Sequence, residues 1–322
     1  MQVLPQRPYL CITNEGKYNM QVITVSVVNF KAQYGNKSAN AERIAEYSQA
    51  AAAQGTDMVV FPEMALTGFD NELNIAKPEK MQVRCAETVP GPSTDFLAET
   101  AKKYGVYIVF GMPERDMAVP DTIYNSAVVL GPEGLICCHR KTHISYPESQ
   151  WASKGNRSTV FDTPWGPIGL AICYEVYRYP EFIRYARAKG AGLFLNCTAA
   201  SRAAEPPAYM SISLETSAML NRMFIASANL TGPDLINDFF GGSSIIGPSF
   251  DDRPARYYAG VPFSHQDSRT PGIFSATIDL SEIENNRTMY RNSPDYGEPD
   301  FKPLLFAEMY RELAELPGYR QK

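Results

Sequence analysis

Residues 21–61 read QVITVSVVNFKAQYGNKSANAERIAEYSQAAAAQGTDMVVF, and this stretch decides the fold class. Gln21 to Asn29 is rich in β-branched residues, as a strand requires. Asn40 is placed to cap a helix that ends near Gly55, and Asp57 to Phe61 is a short apolar run bounded by turn residues. A β-α-β start argues for an α/β protein. Pro62-Glu63 then sets a carboxylate just beyond the second strand.

The same rhythm continues outward. A helix is predicted over Ser93 to Tyr104 and a strand over Val106 to Phe110; Ile123 to Leu130 and Leu135 to His139 flank Gly131-Pro132-Glu133-Gly134 as a hairpin. A strand at Ile168 to Ile172 precedes a helix from about Tyr179 to Lys189, and Gly192 to Asn196 reads as the next buried strand. Helix Pro207 to Asn221 and strands Phe224 to Asn229, Ser243 to Gly247 and Ile273 to Asp279 complete the pattern. Alternation with a hairpin inside it predicts α/β layers around mixed sheets covered on both faces. Arg291 to Pro303 reads as a linker into a last helix, Leu304 to Leu316, and Met1 to Met20 as a polar leader.

With 322 residues the chain is long enough for a substantial core without a metal or disulfide staple. Its 30 Lys+Arg and 35 Asp+Glu give a net charge of −5 with no basic block, which argues against nucleic acid as a partner. No apolar run approaches the ~18 to 20 residues that span a bilayer, and the first ten residues do not read as a signal peptide, so the expectation is a soluble cytoplasmic protein. The six cysteines, Cys11, Cys85, Cys137, Cys138, Cys173 and Cys197, show no spacing suited to zinc. No metal and no organic cofactor is expected.

Three segments place a reactive side chain just beyond a buried strand: Asp57 to Phe61 runs into Pro62-Glu63, Leu135 to His139 into Arg140-Lys141, and Ile168 to Ile172 into Cys173. Ligands in α/β sheets gather at the carboxyl ends of strands, so the three can converge although they are distant in sequence. A thiol needs a base or a cation beside it to act as a nucleophile, and Glu63 and Lys141 would supply them. The histidines His139, His143 and His265 offer a rival, a Cys–His pair, and strand alternation would put His143 on the side of Lys141. Taken singly, each of these residues is more simply explained as core, cap or surface.

Local patterns add to this. Phe61-Pro62-Glu63-Met64-Ala65-Leu66-Thr67-Gly68-Phe69, His139-Arg140-Lys141-Thr142-His143-Ile144 and Gly169-Leu170-Ala171-Ile172-Cys173-Tyr174-Glu175, with Arg178-Tyr179-Pro180-Glu181 following, closely resemble the three signature motifs of the nitrilase superfamily in order and spacing. Asn40 to Ile44, Gly241 to Pro248 and Ile278 to Arg287 also resemble family segments, so the likeness spans Gln21 to Pro294. It implies a carbon–nitrogen hydrolase domain over residues 21–294, flanked by a leader (1–20) and a tail with a helix (295–322).

The resemblance further implies a four-layer α-β-β-α sandwich of two mixed sheets and a homo-oligomer. Carried over by position, the family's base falls on Glu63, its lysine on Lys141, its nucleophile on Cys173 and a second glutamate on Glu148, with the Tyr174 N–H joining Lys141 at the oxyanion. The substrate implied is a small amide, since Tyr174-Glu175 resembles the amidase and N-carbamoyl-amine branches, whereas true nitrilases usually have Trp-Glu there. An N-carbamoyl amine or a nitrile is the alternative, and a non-catalytic association protein is the rival class. Phe69, Tyr174, Asn196 and Thr198 are the candidate substrate contacts.

Overall fold

The β-branched run near the start forms β1 (Val22–Asn29), with Ile23, Val25 and Val27 on one face and Val28 on the other. It lies parallel to β2 (Met58–Val60), which lies parallel to β3 (Tyr107–Arg115). The hairpin β4 (Ile123–Gly131) and β5 (Gly134–Arg140) continues this sheet antiparallel, and β14 (Gly272–Asp279) closes its other edge. The order is β14-β1-β2-β3-β4-β5. The computed structural model describes residues 21–201, 206–249, 255–283 and 302–316. The leader, most of the linker Arg291 to Pro303 and the end of the motif near Arg287 lie outside the described residues.

A second sheet repeats the plan. Strands β7 (Gly166–Ile172), β8 (Leu193–Thr198) and β9 (Phe224–Asn229) are parallel; β6 (Thr159–Thr163), β12 (Ser244–Pro248) and β13 (Ala255–Gly260) flank them antiparallel in the order β13-β12-β9-β8-β7-β6. A two-stranded ribbon, β10 (Thr231–Asp234) with β11 (Asn237–Phe240), stands apart.

Three apolar clusters fix the layers. Ile23, Val25, Val60 and Val129 of the first sheet meet Ile168, Leu195, Phe224 and Ile245 of the second. Helices α1 (Lys37–Ala52) and α3 (Pro92–Tyr104), with the short α2 (Met81–Cys85) between them in the chain, cover the outer face of the first sheet, and α5 (Glu181–Ala188) and α6 (Pro207–Asn221) that of the second. The result is the expected α-β-β-α sandwich with two mixed sheets. Each fully buried aliphatic side chain in these clusters contributes about 1.5–3 kcal/mol, so all three interlayer contacts add cohesion.

Some local expectations are corrected. Helix α1 starts four residues earlier than expected: Asn36 caps it, its side chain accepting from the Ala39 N–H at 3.2 Å. Asn40 is buried inside the helix and bonds Gln33 and Leu66, so it anchors the neighbouring loops. The helix expected from about Tyr179 to Lys189 is α5, and a short helix that was not expected, α4 (Tyr174–Arg178), precedes it and ends before Pro180, which cannot continue it. The last helix spans Pro303–Glu315, and none of its residues is buried.

Candidate active site

Glu63 sits in the loop after β2, held against the neighbouring strand. The Phe61 N–H donates to the Val109 carbonyl (2.7 Å) and the Gly111 N–H to the Pro62 carbonyl (3.0 Å). Gly111 has to be glycine, because a Cβ there would lie 2.5 Å from the Met64 nitrogen and 2.6 Å from the Glu63 Cα. Lys141 leaves the end of β5, its N–H donating to the Asn125 carbonyl (2.8 Å) and its carbonyl accepting from the Gly155 N–H (2.8 Å). Because β5 ends at Arg140, strand alternation does not govern His143.

Cys173 lies at the end of β7, in the turn that opens α4, with a φ of 51°. A non-glycine residue in that region costs on the order of 1–3 kcal/mol and persists only where neighbours hold it. The neighbour here is Asn196 on β8, whose Oδ1 accepts from the Cys173 N–H at 3.0 Å while its Nδ2 donates to the Tyr177 and Ser227 hydroxyls. Thr198, at the end of the same strand, hydrogen-bonds the Cys173 thiol together with the Ala199 N–H, and accepts from the Tyr177 hydroxyl.

One ammonium joins the ends of β2 and β5 to Glu148, and it and Glu63 both act electrostatically on the Cys173 thiol at the end of β7. Lys141 Nζ lies 2.7 Å from Glu63 Oε1 and 2.9 and 2.8 Å from the two oxygens of Glu148, with all three side chains buried. Asn125 on β4 donates through Nδ2 to both carboxylates, at 2.7 Å to Glu63 and 2.6 Å to Glu148. Glu148 is further bonded by the Ser145 N–H and hydroxyl. Glu63 is held through Oε1 alone; among the described residues its Oε2 has no hydrogen-bond donor.

Electrostatics follow from this wiring. Burial raises the pKa of Glu63, Lys141 opposes that rise, and Glu148 adds to it; the net shift is upward. Burial works against the charge on Lys141, but Glu148 and Glu63 outweigh it, and the ammonium is held above its ordinary value. Burial pushes the Cys173 thiol up to about 12 and Glu63 adds to it, against the pull of Lys141, Thr198 and the Ala199 N–H. The thiol is therefore protonated at neutral pH and must lose its proton as it attacks.

The histidines are engaged elsewhere. His139 is buried between Thr159 Oγ1 and Glu175 Oε2, both at 2.9 Å. His143 bonds Thr142 Oγ1 (2.8 Å) and stacks on Tyr179 with ring centroids 3.8 Å apart, and His265 pairs with Asp267. None is among the groups acting on the Cys173 thiol.

The candidate substrate contacts fall into two groups. Asn196 and Thr198 are fully buried and spend their polar atoms on the Cys173 turn. Tyr174 is half-buried with its ring edge-on to Tyr179, and Phe69 is buried where its loop meets the β10–β11 ribbon, its carbonyl accepting from Asn237 Nδ2 at 2.8 Å. Sequence reading missed Asn125, whose one available signal was an amide inside an apolar strand. It also left Glu175 without a role. Among the described residues no cluster of three or more His, Cys, Asp or Glu is placed to hold a metal ion, and no helix is long and apolar enough to cross a membrane.

With this geometry in place, likeness to known proteins is informative. Residues 24–287 match the carbon–nitrogen hydrolase family. The chain is 32% identical over 248 residues to the omega-amidase NIT2 of Danio rerio, covering 72% of this chain and 81% of that protein. It is 31% identical over 268 residues to a nitrilase of Pyrococcus abyssi, covering 83% and 93%. Saccharomyces cerevisiae Nit3, a member of branch 10 of the nitrilase superfamily, superposes with a TM-score of 0.71 at 26% identity over 85% of this chain and 96% of that one. The chain belongs to the carbon–nitrogen hydrolase family, within the nitrilase superfamily, and is an enzyme of that kind.

Proposed function

We propose that the protein hydrolyses a small amide through a thioester on Cys173, with Glu63 as general base and Lys141 as the cation facing the oxyanion. The observation that carries this reading is the contrast within the buried cluster: Glu63 has a raised pKa and a free Oε2, whereas Glu148 is saturated by donors. A base must have an open oxygen and a proton affinity above that of an ordinary carboxylate. Glu148, with Asn125, keeps Lys141 charged and aimed.

Glu63 takes the Sγ proton as sulfur bonds to the carbonyl carbon, and the oxyanion is held by the Lys141 ammonium and the backbone N–H of Tyr174. The carbon–nitrogen bond then breaks as Glu63 returns the proton to the leaving nitrogen, releasing ammonia or an amine. Glu63 next deprotonates water, which adds to the thioester; the carbon–sulfur bond breaks, the thiol regains a proton and a carboxylic acid leaves. Asn196 and Thr198 hold the nucleophile turn, and Tyr174 and Phe69 are the proposed substrate contacts. No step calls for a metal or organic cofactor.

An amide is favoured by the omega-amidase relative. Arg178, the arginine that follows the nucleophile most closely in the chain, lies over the Tyr209 ring of α6, 5.0 Å from its centroid. A carboxylate-gripping site for N-carbamoyl amino acids thus has less support. The test is release of ammonia from matched amides, N-carbamoyl amines and nitriles by the purified protein. Fastest turnover of an amide is expected; a nitrile or carbamoyl amine turned over faster would reassign the substrate.

Homo-oligomerisation and a cytoplasmic site belong to the same proposal. Helix α6 buries Met210, Leu214 and Ala218 against its own sheet yet exposes Ile212, Met219 and Leu220 on the other side, and an all-round apolar helix calls for a second cover. The cysteines Cys85, Cys137, Cys138, Cys173 and Cys197 are all free, as a reducing compartment keeps them.

A further inference from the structure

We infer that Glu175 is a positioning residue that sets Cys173 against Lys141 by tying the two sheets together at the site, an inference that rests on the Glu63–Lys141–Cys173 reading above. The proposed base and cation project from the first sheet and the nucleophile from the second. What lies between the sheets is mostly aliphatic, and apolar packing is non-directional. It holds the sheets at a spacing but does not fix how far one slides along the other.

Glu175 supplies directional bonds at the point where sliding would matter. Its side chain is fully buried in α4, which hangs from β7 in the second sheet. Oε2 accepts from the Ile172 N–H at 2.9 Å, next to Cys173 in the chain. Oε1 accepts from the Thr142 N–H (2.7 Å) and hydroxyl (2.6 Å), next to Lys141, with the His143 N–H at 3.4 Å. One carboxylate thus grips the chain neighbour of each reacting group.

His139 completes the bracket. It belongs to β5 of the first sheet, and both its ring nitrogens bond to the second: Nε2 to Glu175 Oε2 and Nδ1 to Thr159 Oγ1 on β6, each at 2.9 Å. Losing the bracket leaves every proposed catalytic side chain in place but frees their relative position, and misplacement by about 1 Å can cost on the order of 100-fold in rate.

Glu175→Gln and Thr142→Val test this, with Lys141→Ala and Cys173→Ala as references. The readouts are kcat and KM on the best amide, the rate of Cys173 alkylation by iodoacetamide near neutral pH, and the melting temperature. Glu175→Gln is expected to lower kcat on the order of 10- to 100-fold with KM within about threefold, and to slow alkylation. Thr142→Val, which keeps the shape and the backbone donor, should lower kcat by about 3- to 10-fold. Should Glu175→Gln fail to fold, Thr142→Val decides. A lower melting temperature with kcat per folded molecule and alkylation unchanged would make Glu175 a stability residue only and overturn the inference. If the two reference variants are dead while the bracket variants are fully active, this inference alone fails; if the references also keep wild-type turnover, the reading beneath it has failed as well.

Discussion

Glu63 and Glu175 are both fully buried carboxylates, yet one has a raised pKa and the other is held at about 2. Burial pushes both upward. Around Glu63 it is opposed by one ammonium and one amide N–H, and a second carboxylate, Glu148, reinforces it. Around Glu175 it is overcome by His139, the Thr142 side chain and the backbone N–H groups of Ile172 and Thr142. Donor count and the absence of a like-charged neighbour therefore decide the outcome. One carboxylate is left able to take a proton, and the other is locked as an anion that holds structure.

The sharpest way to break this contrast is to neutralise each in turn. Glu63→Gln keeps size and the Lys141 contact but cannot accept a proton, so turnover should fall by about 10³-fold or more while the melting temperature holds or rises. Its sign follows from linkage: a raised carboxylate pKa means stability is lost as pH rises through that value, so removing the charge does not weaken the fold at neutral pH. Steady-state kinetics with thermal melts check it. A folded Glu63→Gln enzyme with near-normal turnover would end the general-base assignment.

Lys141→Ala should cost on the order of 10²- to 10³-fold, chiefly in kcat, because it removes the charge opposite the oxyanion. It should also move the acid limb of kcat/KM upward, since Lys141 is what opposes the rise in the Glu63 pKa.

For Glu175 the expected signature is in stability. Its pKa is depressed from the ordinary 4.5 to about 2, so its contribution is fully present above about pH 4.5 and is lost as pH falls toward 2. The depression corresponds to about 3 kcal/mol at neutral pH. Urea unfolding of wild type and Glu175→Gln across that window should show a gap that closes as the pH drops, and a gap that stays constant would contradict it.

A smaller effect is expected at Asn125. Asn125→Ala removes the neutral donor shared by Glu63 and Glu148, which should raise the Glu63 pKa further and lower turnover by about 10-fold. A pH–rate profile whose acid limb does not move would show that Asn125 is packing alone.

Much of the molecule was legible without coordinates. The β-branched run Gln21 to Asn29 announced β1, and the hairpin turn at Pro132-Glu133 announced β4 and β5, because strand propensity and a turn's chemistry are written in adjacent residues. Glu63, Lys141 and Cys173 stood out because each follows a buried run at a strand end. The cap of α1 was misplaced, since Asn36 and Asn40 are equally good caps on local grounds and only the packing of Leu66 and Gln33 around Asn40 excludes it. Asn196 and Thr198 were legible as site residues but not in their role.

The sequence by itself determined the succession of strands and helices, the chemistry available at three strand ends, and the family to which they belong. Only the tertiary structure decided that the ends of β2 and β5 meet in one buried ion cluster with Glu148, and that this cluster acts electrostatically on the Cys173 thiol of the other sheet. It alone decided which carboxylate keeps an open oxygen and which is saturated. The reason is physical: helix and strand periodicity is a property of neighbouring residues, whereas a pKa and a hydrogen bond below 3 Å depend on groups brought together from tens of residues apart, and no local pattern carries their distance.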